Sequence, residues 1–331
     1  MTAAPVPPPF LFVVGCGRSG TTVLRTALDA HPDLAVAHEG RFVAPLALRR
    51  ARYERPEGFA LDRFVADMVA DRAVTANLGF DEDGLRAALA GGDGSPPANY
   101  PDAVRRVFAG YAARAGKARY GDKMPGYVVR IPLLAALLPE ARFVHIIRDG
   151  RDVALSTRPL EGRGTDVVAT ALNWRTRVAA GRGDGAALGP GRYHEVRYED
   201  LVAEPEPALR ALCAFAGLPW DGATLRHTEH PEATPAKVRD NPRHARLAEP
   251  LSPGARGWRT AMDRADVAAF EAVAGDLLDD LGYERAAAAA RVPARARARV
   301  AWGRAAWQVR RTRARLPGAA RRAVGGGQGA R

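Results

Sequence analysis

The chain has 331 residues, 47% of them hydrophobic, with a formal net charge of +12. That size suits one large α/β domain with a substantial core. Two cysteines, Cys16 and Cys213, exclude a disulfide framework and a cysteine-based zinc site, and the first apolar run is too short to predict a signal peptide or a membrane span. The charge is localised: residues 286–331 hold twelve arginines and no acid, which leaves 37 basic against 37 acidic residues elsewhere. The sequence therefore separates a neutral body from a basic tail, and the tail says little about what the body does.

In chain order, residues 1–9 read as a flexible start. The run FLFVV, Phe10 to Val14, is a predicted buried strand leading into the glycine-rich turn GCGRSGTT. That turn fits the P-loop pattern at Gly15 and Gly20, but Thr21 stands where a lysine would reach the β- and γ-phosphates, which points to a ligand other than ATP. A helix follows with Val23, Leu24, Ala27 and Leu28 on one face, ended by His31-Pro32, and then a strand on Leu34 and Val36. Two Gly-rich stretches, GGDGSPP (91–97) and GRGDGAALGPG (181–191), are predicted loops. Between them lie RYGDKMP (119–125), read as a short strand ending at Gly121 with Asp122 and Lys123 in the turn beyond, and a helix near Val128 to Leu138. The apolar run FVHIIRD (143–149) is a predicted central parallel strand, and RYHEVRYED (192–200) supplies another. Strands alternating with helices predict a doubly wound parallel sheet covered on both faces, over residues 10–285. The Ala/Arg-rich tail, residues 286–331, is expected to be either a basic helix with Trp302, Ala306 and Val309 on one face, or disordered.

Ligands of such sheets bind beyond the carboxyl ends of the strands. The first strand delivers Arg18, Ser19, Gly20, Thr21 and Thr22, whose backbone N–H groups open a helix and form an anion site. The second delivers His38, Glu39 and Arg41; the next delivers Asp122 and Lys123; FVHII delivers Arg148 with Ser156 further on; the last delivers Tyr198. These cations are dispersed, which suits a nucleotide with anions at two separate positions: Arg148 and Ser156 would hold a 3′-phosphate apart from the loop. His38 is a rival to Glu39 as a base, although neighbours on a strand point to opposite sides. His145 and Trp174 read as core residues, and Cys16 as a small packing residue.

The segments GRSGTTVLRTALDAHPDLAVAHEGR (17–41), GDKMP, IIRDGRDVALS and RYEDLV resemble the sulfotransferases that use 3′-phosphoadenosine 5′-phosphosulfate, PAPS. The resemblance is closest to the branch of tyrosylprotein sulfotransferases and related bacterial enzymes. It implies the sulfotransferase fold, a three-layer sheet of the P-loop-nucleotide-hydrolase type, and transfer of a sulfuryl group from PAPS to the hydroxyl of an alcohol, phenol, glycan or lipid without a metal. Matched position by position, Glu39 would be the catalytic base, with Lys123 and Arg18 also catalytic. Arg18 to Thr22 would hold the 5′-phosphosulfate, Arg41 would lie close by, Arg148 and Ser156 would hold the 3′-phosphate, and Tyr198 would lie near the adenine. In GARGW (254–258), Gly257 and Trp258 match a segment that closes over the nucleotide, with Ser252-Pro253 in place of a basic pair found in cytosolic relatives. Independently of the resemblance, the cysteine usage suits a reducing compartment, so the expected location is cytoplasmic, and the arginines of the tail are expected to meet an anionic membrane surface. Two rival readings stand beside this one: a P-loop kinase with Asp149 on Mg²⁺, and an inactive membrane- or nucleic-acid-associated binding protein.

Overall fold

Five short segments, three of them apolar, become the strands of one sheet: β1 (Leu11–Gly15), β2 (Leu34–His38), β5 (Arg119–Lys123), β6 (Arg142–Ile147) and β7 (Tyr193–Arg197). A separate two-stranded ribbon joins β3 (Glu54–Arg55) to β4 (Gly58–Phe59). In the computed structural model the described residues are 8–92, 94–157, 166–229, 249, 251, 257–286, 298 and 301. The Ser252-Pro253 pair and tail residues Trp302, Ala306 and Val309 lie outside them. The chain divides into two compact units, residues 1–148 with 177–254, and residues 149–176 with 255–331.

The sheet belongs to the first unit and is ordered β2-β5-β1-β6-β7, every neighbouring pair parallel. β1 and β2 are buried at every position and β6 at all but its first, as in a parallel sheet covered on both faces. The two-residue alternation then divides their side chains. Phe10, Phe12, Val14, Ala35, Ala37 and Phe143 enter one core layer, with Phe64 of α3 (Leu61–Val69), Val104 and Phe108 of α6 (Tyr100–Arg114), and Leu134 of α7 (Ile131–Leu137). Leu11, Val13, Leu34, Val36, Val144 and Ile146 enter the other, with Leu24 and Leu28 of α1 (Thr21–Asp29), and Leu209 and Leu212 of α11 (Pro205–Ala216). This is the predicted doubly wound α/β fold. Each fully buried Leu or Phe contributes about 1.5–3 kcal/mol to it.

Register lines up the carboxyl ends. Val13 pairs with Lys123 and with Val144, and His38 pairs with Lys123. Lys123 is therefore the last residue of β5 and not part of a turn, as the flanking Gly121 and Pro125 suggest from sequence, because β1 and β2 pair on both sides of it. A second correction concerns residues 181–191. The helix α9 (Val167–Ala186) runs through their first half, and the turn comes only after it. Gly181 and Gly185 serve close approach instead of chain reversal: a Cβ at Gly181 would lie 2.5 Å from Val128 and 2.6 Å from His145, and one at Gly185 would lie 2.2 Å from the Tyr193 ring.

The second unit contains α8 (Gly150–Thr157), α12 (Trp258–Ala261) and α13 (Arg264–Asp280). Its interior holds a charged cluster. Arg151, fully buried, pairs with Asp149 and Glu271, and its guanidinium lies 3.6 Å from the Trp258 ring centroid. Trp174 packs at a tilt against Phe270, with ring centroids 5.7 Å apart, and is core, as expected.

Candidate active site

Strand order sets the spatial sequence of the site in the first unit: Glu39 after β2, Lys123 at the end of β5, the loop 16–20 after β1, Arg148 after β6 and Tyr198 after β7. The loop turns tightly, with the Ser19 N–H donating to the Cys16 carbonyl at 3.2 Å. Gly20 caps α1 in the left-handed region, φ 93°, where a side chain would be strained and its Cβ would lie 2.4 Å from the Tyr198 ring. No side chain caps this helix and its first turn has no acid. Its first N–H groups lack acceptors within the helix and point at the loop with the positive end of the dipole, which is an anion-binding arrangement. Ser19 is fully buried, and its Oγ has no hydrogen-bond partner among the described residues. Cys16 packs beneath the loop, and burial pushes its thiol up to about 11, which makes it a packing residue and a poor nucleophile.

Beside the loop, the Lys123 ammonium donates to Glu39 Oε1 at 2.9 Å. The lysine side chain is 1% exposed and the glutamate 30% exposed, so the pair presents a carboxylate to solvent with a cation behind it. Burial pushes the Lys123 pKa down to about 8, and the attraction of Glu39 offsets only part of that. Glu39 and Arg41 have φ of 58° and 63°, and Arg18 has 72°. Left-handed backbone at a residue with a Cβ costs about 1–2 kcal/mol each, and such strain gathers at functional sites. Two buried residues whose part the motifs leave unread hold this turn. The Asn77 amide donates to the Glu39 carbonyl at 2.8 Å, and the Gly40 N–H donates to Asp122 Oδ1 at 2.9 Å. Asn77 sits on α4 (Arg72–Leu78), in a stretch without any recognisable signal.

Arg148 lies over the Tyr198 ring, 4.5 Å from its centroid, and donates to the Arg18 carbonyl at 3.4 Å. Tyr198 is the first residue of α10 (Tyr198–Ala203), wedged between Arg148 and the Gly20 turn. Arg18, Ser19, Gly20, Thr21, Thr22, Glu39, Lys123, Arg148 and Tyr198 thus gather at one sheet edge, and Arg41 is exposed on the turn next to Glu39. Ser156 lies on α8, and Gly257 and Trp258 lie at the start of α12, in the second unit, where the Trp258 N–H donates to Asp152 at 2.7 Å. Asp149, the expected Mg²⁺ ligand of a kinase, has both carboxylate oxygens on Arg151, at 3.0 and 2.7 Å. His145 is a core residue: it is fully buried, bonded to the Tyr193 hydroxyl at 2.6 Å, and burial pushes its pKa down to about 3.

A parallel sheet of this order, with an anion-binding loop after β1 and a Glu–Lys pair beside it, defines a P-loop-like α/β domain with an anion-binding edge. The sequence model of the sulfotransferase family matches residues 9–222, and the chain belongs to that family. It is 29% identical over 228 residues to protein-tyrosine sulfotransferase 1 of Danio rerio, covering 67% of this chain and 56% of that protein. Nodulation protein NoeE of Sinorhizobium fredii is 26% identical over 307 residues, covering 84% and 67%. The chain spans about half the length of the protein-tyrosine sulfotransferases it matches. The fold is that of the sulfotransferase domain from the Synechococcus PCC 7002 olefin synthase, with a TM-score of 0.55 and 23% identity over 85% of this chain and 96% of that one. The sulfotransferase domain from the curacin biosynthetic pathway is similar, with a TM-score of 0.52 and 18% identity over 85% and 99%.

Proposed function

We propose that this protein transfers a sulfuryl group from PAPS to the hydroxyl of an alcohol, phenol, glycan or lipid. The observation that carries the reading is the Glu39–Lys123 pair, 2.9 Å apart, beside an uncapped helix N-terminus. PAPS supplies the activated sulfuryl group. The loop amides of residues 18–22 and the Arg18 side chain hold its 5′-phosphosulfate, Arg41 lies nearby, and Arg148 reads the 3′-phosphate. Glu39 accepts the proton of the acceptor hydroxyl as that oxygen attacks sulfur. Lys123 and the loop amides face the charge that grows on the departing 5′-phosphate, so the protein contributes positioning and electrostatics in the manner of phosphoryl transfer.

Ligand-induced melting tests this against the kinase reading. 3′,5′-Adenosine bisphosphate without metal is expected to raise the Tm, and stabilisation by Mg-ATP alone would overturn the assignment. Arg148→Ala should weaken the bisphosphate tenfold to a hundredfold, the roughly 1.5–3 kcal/mol of a charged hydrogen bond. If 5′-AMP is weakened as much as the bisphosphate, Arg148 does not read the 3′ position. The arginine-rich tail is proposed to bring a cytoplasmic enzyme to anionic membranes, each arginine near the surface adding about 1 kcal/mol. Equal sedimentation with anionic vesicles by the full chain and by a chain ending at Arg285 would exclude that role.

A further inference from the structure

The geometry points to Asn77 and Asp122 as a pair of positioning residues that clamp one peptide group, the Glu39–Gly40 unit, and so keep the Glu39 carboxylate on Lys123. The two contacts described above fall on opposite ends of this peptide: Asn77 Nδ2 donates to its carbonyl at 2.8 Å and Asp122 Oδ1 accepts from its N–H at 2.9 Å. A flip of this peptide would reverse both groups, so a donor on one end and an acceptor on the other permit one orientation only. The clamp acts where the backbone is least able to hold itself, between two left-handed residues, Glu39 and Arg41. The Glu39 N–H, on the preceding peptide, is held separately by the Lys123 carbonyl at 2.9 Å. The turn is therefore pinned at three successive polar groups from two elements, α4 and β5.

Space filling does not account for these residues. Asp122 is fully buried and Asn77 is 8% exposed, and Asn77 Oδ1 and Asp122 Oδ2 have no hydrogen-bond partner among the described residues. Burial with a single bond pushes the Asp122 carboxyl up to about 7. Apolar side chains would fill the same volumes without orphaned oxygens. What the amide and the carboxylate have in common is the peptide that they hold.

The bearing of the clamp on catalysis rests on Glu39 as the base, but its effect on the Glu39–Lys123 pair can be read without turnover. The sequence has three lysines, at 117, 123 and 237, so the ¹³Cε signal of Lys123 in the full chain is assigned from one substitution and titrated by NMR. Glu39→Gln removes the pairing charge and should lower the Lys123 midpoint by about one unit or more. Asn77→Leu leaves every charge in place, and it should produce at least half of that shift because the carboxylate swings away. Asp122→Asn and Asp122→Leu both remove a charge, but only Asn keeps an acceptor for the Gly40 N–H, so Leu should lie below Asn. Asn77→Gln, which keeps the donor, should move the midpoint back towards wild type. Asn77→Ala, which also removes the donor, supplies the same comparison if the Leu variant does not fold. A wild-type midpoint in Asn77→Leu or Asn77→Ala, together with a shift in Glu39→Gln, would overturn the clamp and leave the base assignment standing. A shift in all of them with turnover retained in Glu39→Gln would leave the clamp standing and remove the base.

Discussion

Glu39→Gln is expected to abolish most turnover, by a factor of about 10² to 10⁴, while 3′,5′-adenosine bisphosphate still binds within about threefold of wild type. The amide keeps the size of the side chain and still accepts a hydrogen bond from the Lys123 ammonium, which now sits 2.9 Å from the carboxylate. It cannot take a proton from an attacking hydroxyl. The loss corresponds to about 3–5 kcal/mol of barrier and belongs in kcat, because the loop amides and Arg148 that would hold the nucleotide are untouched. The measurement is a bisphosphate titration alongside the rate at saturating PAPS, with an acceptor drawn from a panel of alcohols and phenols. If Glu39 merely shapes the turn, affinity and Tm should fall together and the saturated rate should recover. A kcat within about threefold of wild type is too small a loss for a general base, and it would move the role to His38, the last residue of β2.

Local chemistry explains what the sequence reveals and what it hides. Three of the five sheet strands, β1, β2 and β6, are apolar runs bounded by Gly, Pro or charge, so their existence follows from pattern alone. Strands β5 (RYGDK) and β7 (YHEVR) are largely polar and are legible only from their place between helices. The strand ends then name Arg18, Glu39, Lys123, Arg148 and Tyr198 as one edge. Pattern fails where one residue type serves two physical ends. Gly121 and Pro125 read as turn punctuation around Lys123, yet pairing with both β1 and β2 carries β5 through to that lysine. Gly181 and Gly185 read as loop residues, yet they let α9 approach Val128, His145 and Tyr193. Asn77 has no local signature at all. Its function comes from a bond to Glu39, 38 residues away, which only the packing of α4 creates. Asp122 is visible in GDKMP but its task is not, because the Gly40 N–H that it holds is 82 residues distant.

Lys123→Met should lower kcat by about 10² to 10³, the loss typical of one preorganised charge at a developing anion. Methionine matches the length of the side chain and suits its buried surroundings, so the fold should survive with the Tm little changed. The wild-type pH profile carries a further signature of the same residue. Burial holds the Lys123 pKa near 8, so raising the pH through that value removes its proton and its charge, and kcat/KM for PAPS should fall on the alkaline side. The bound nucleotide brings anions that favour the ammonium, so the corresponding fall in kcat should lie at higher pH. Lys123→Arg keeps the cation throughout this range and should displace the alkaline limb upward even if the longer side chain costs activity. The Met variant should show no limb at all. A wild-type kcat/KM that stays flat from pH 7 to about 9.5, or a Met variant within about threefold of wild-type kcat, would mean that the charge on Lys123 is not used in the reaction.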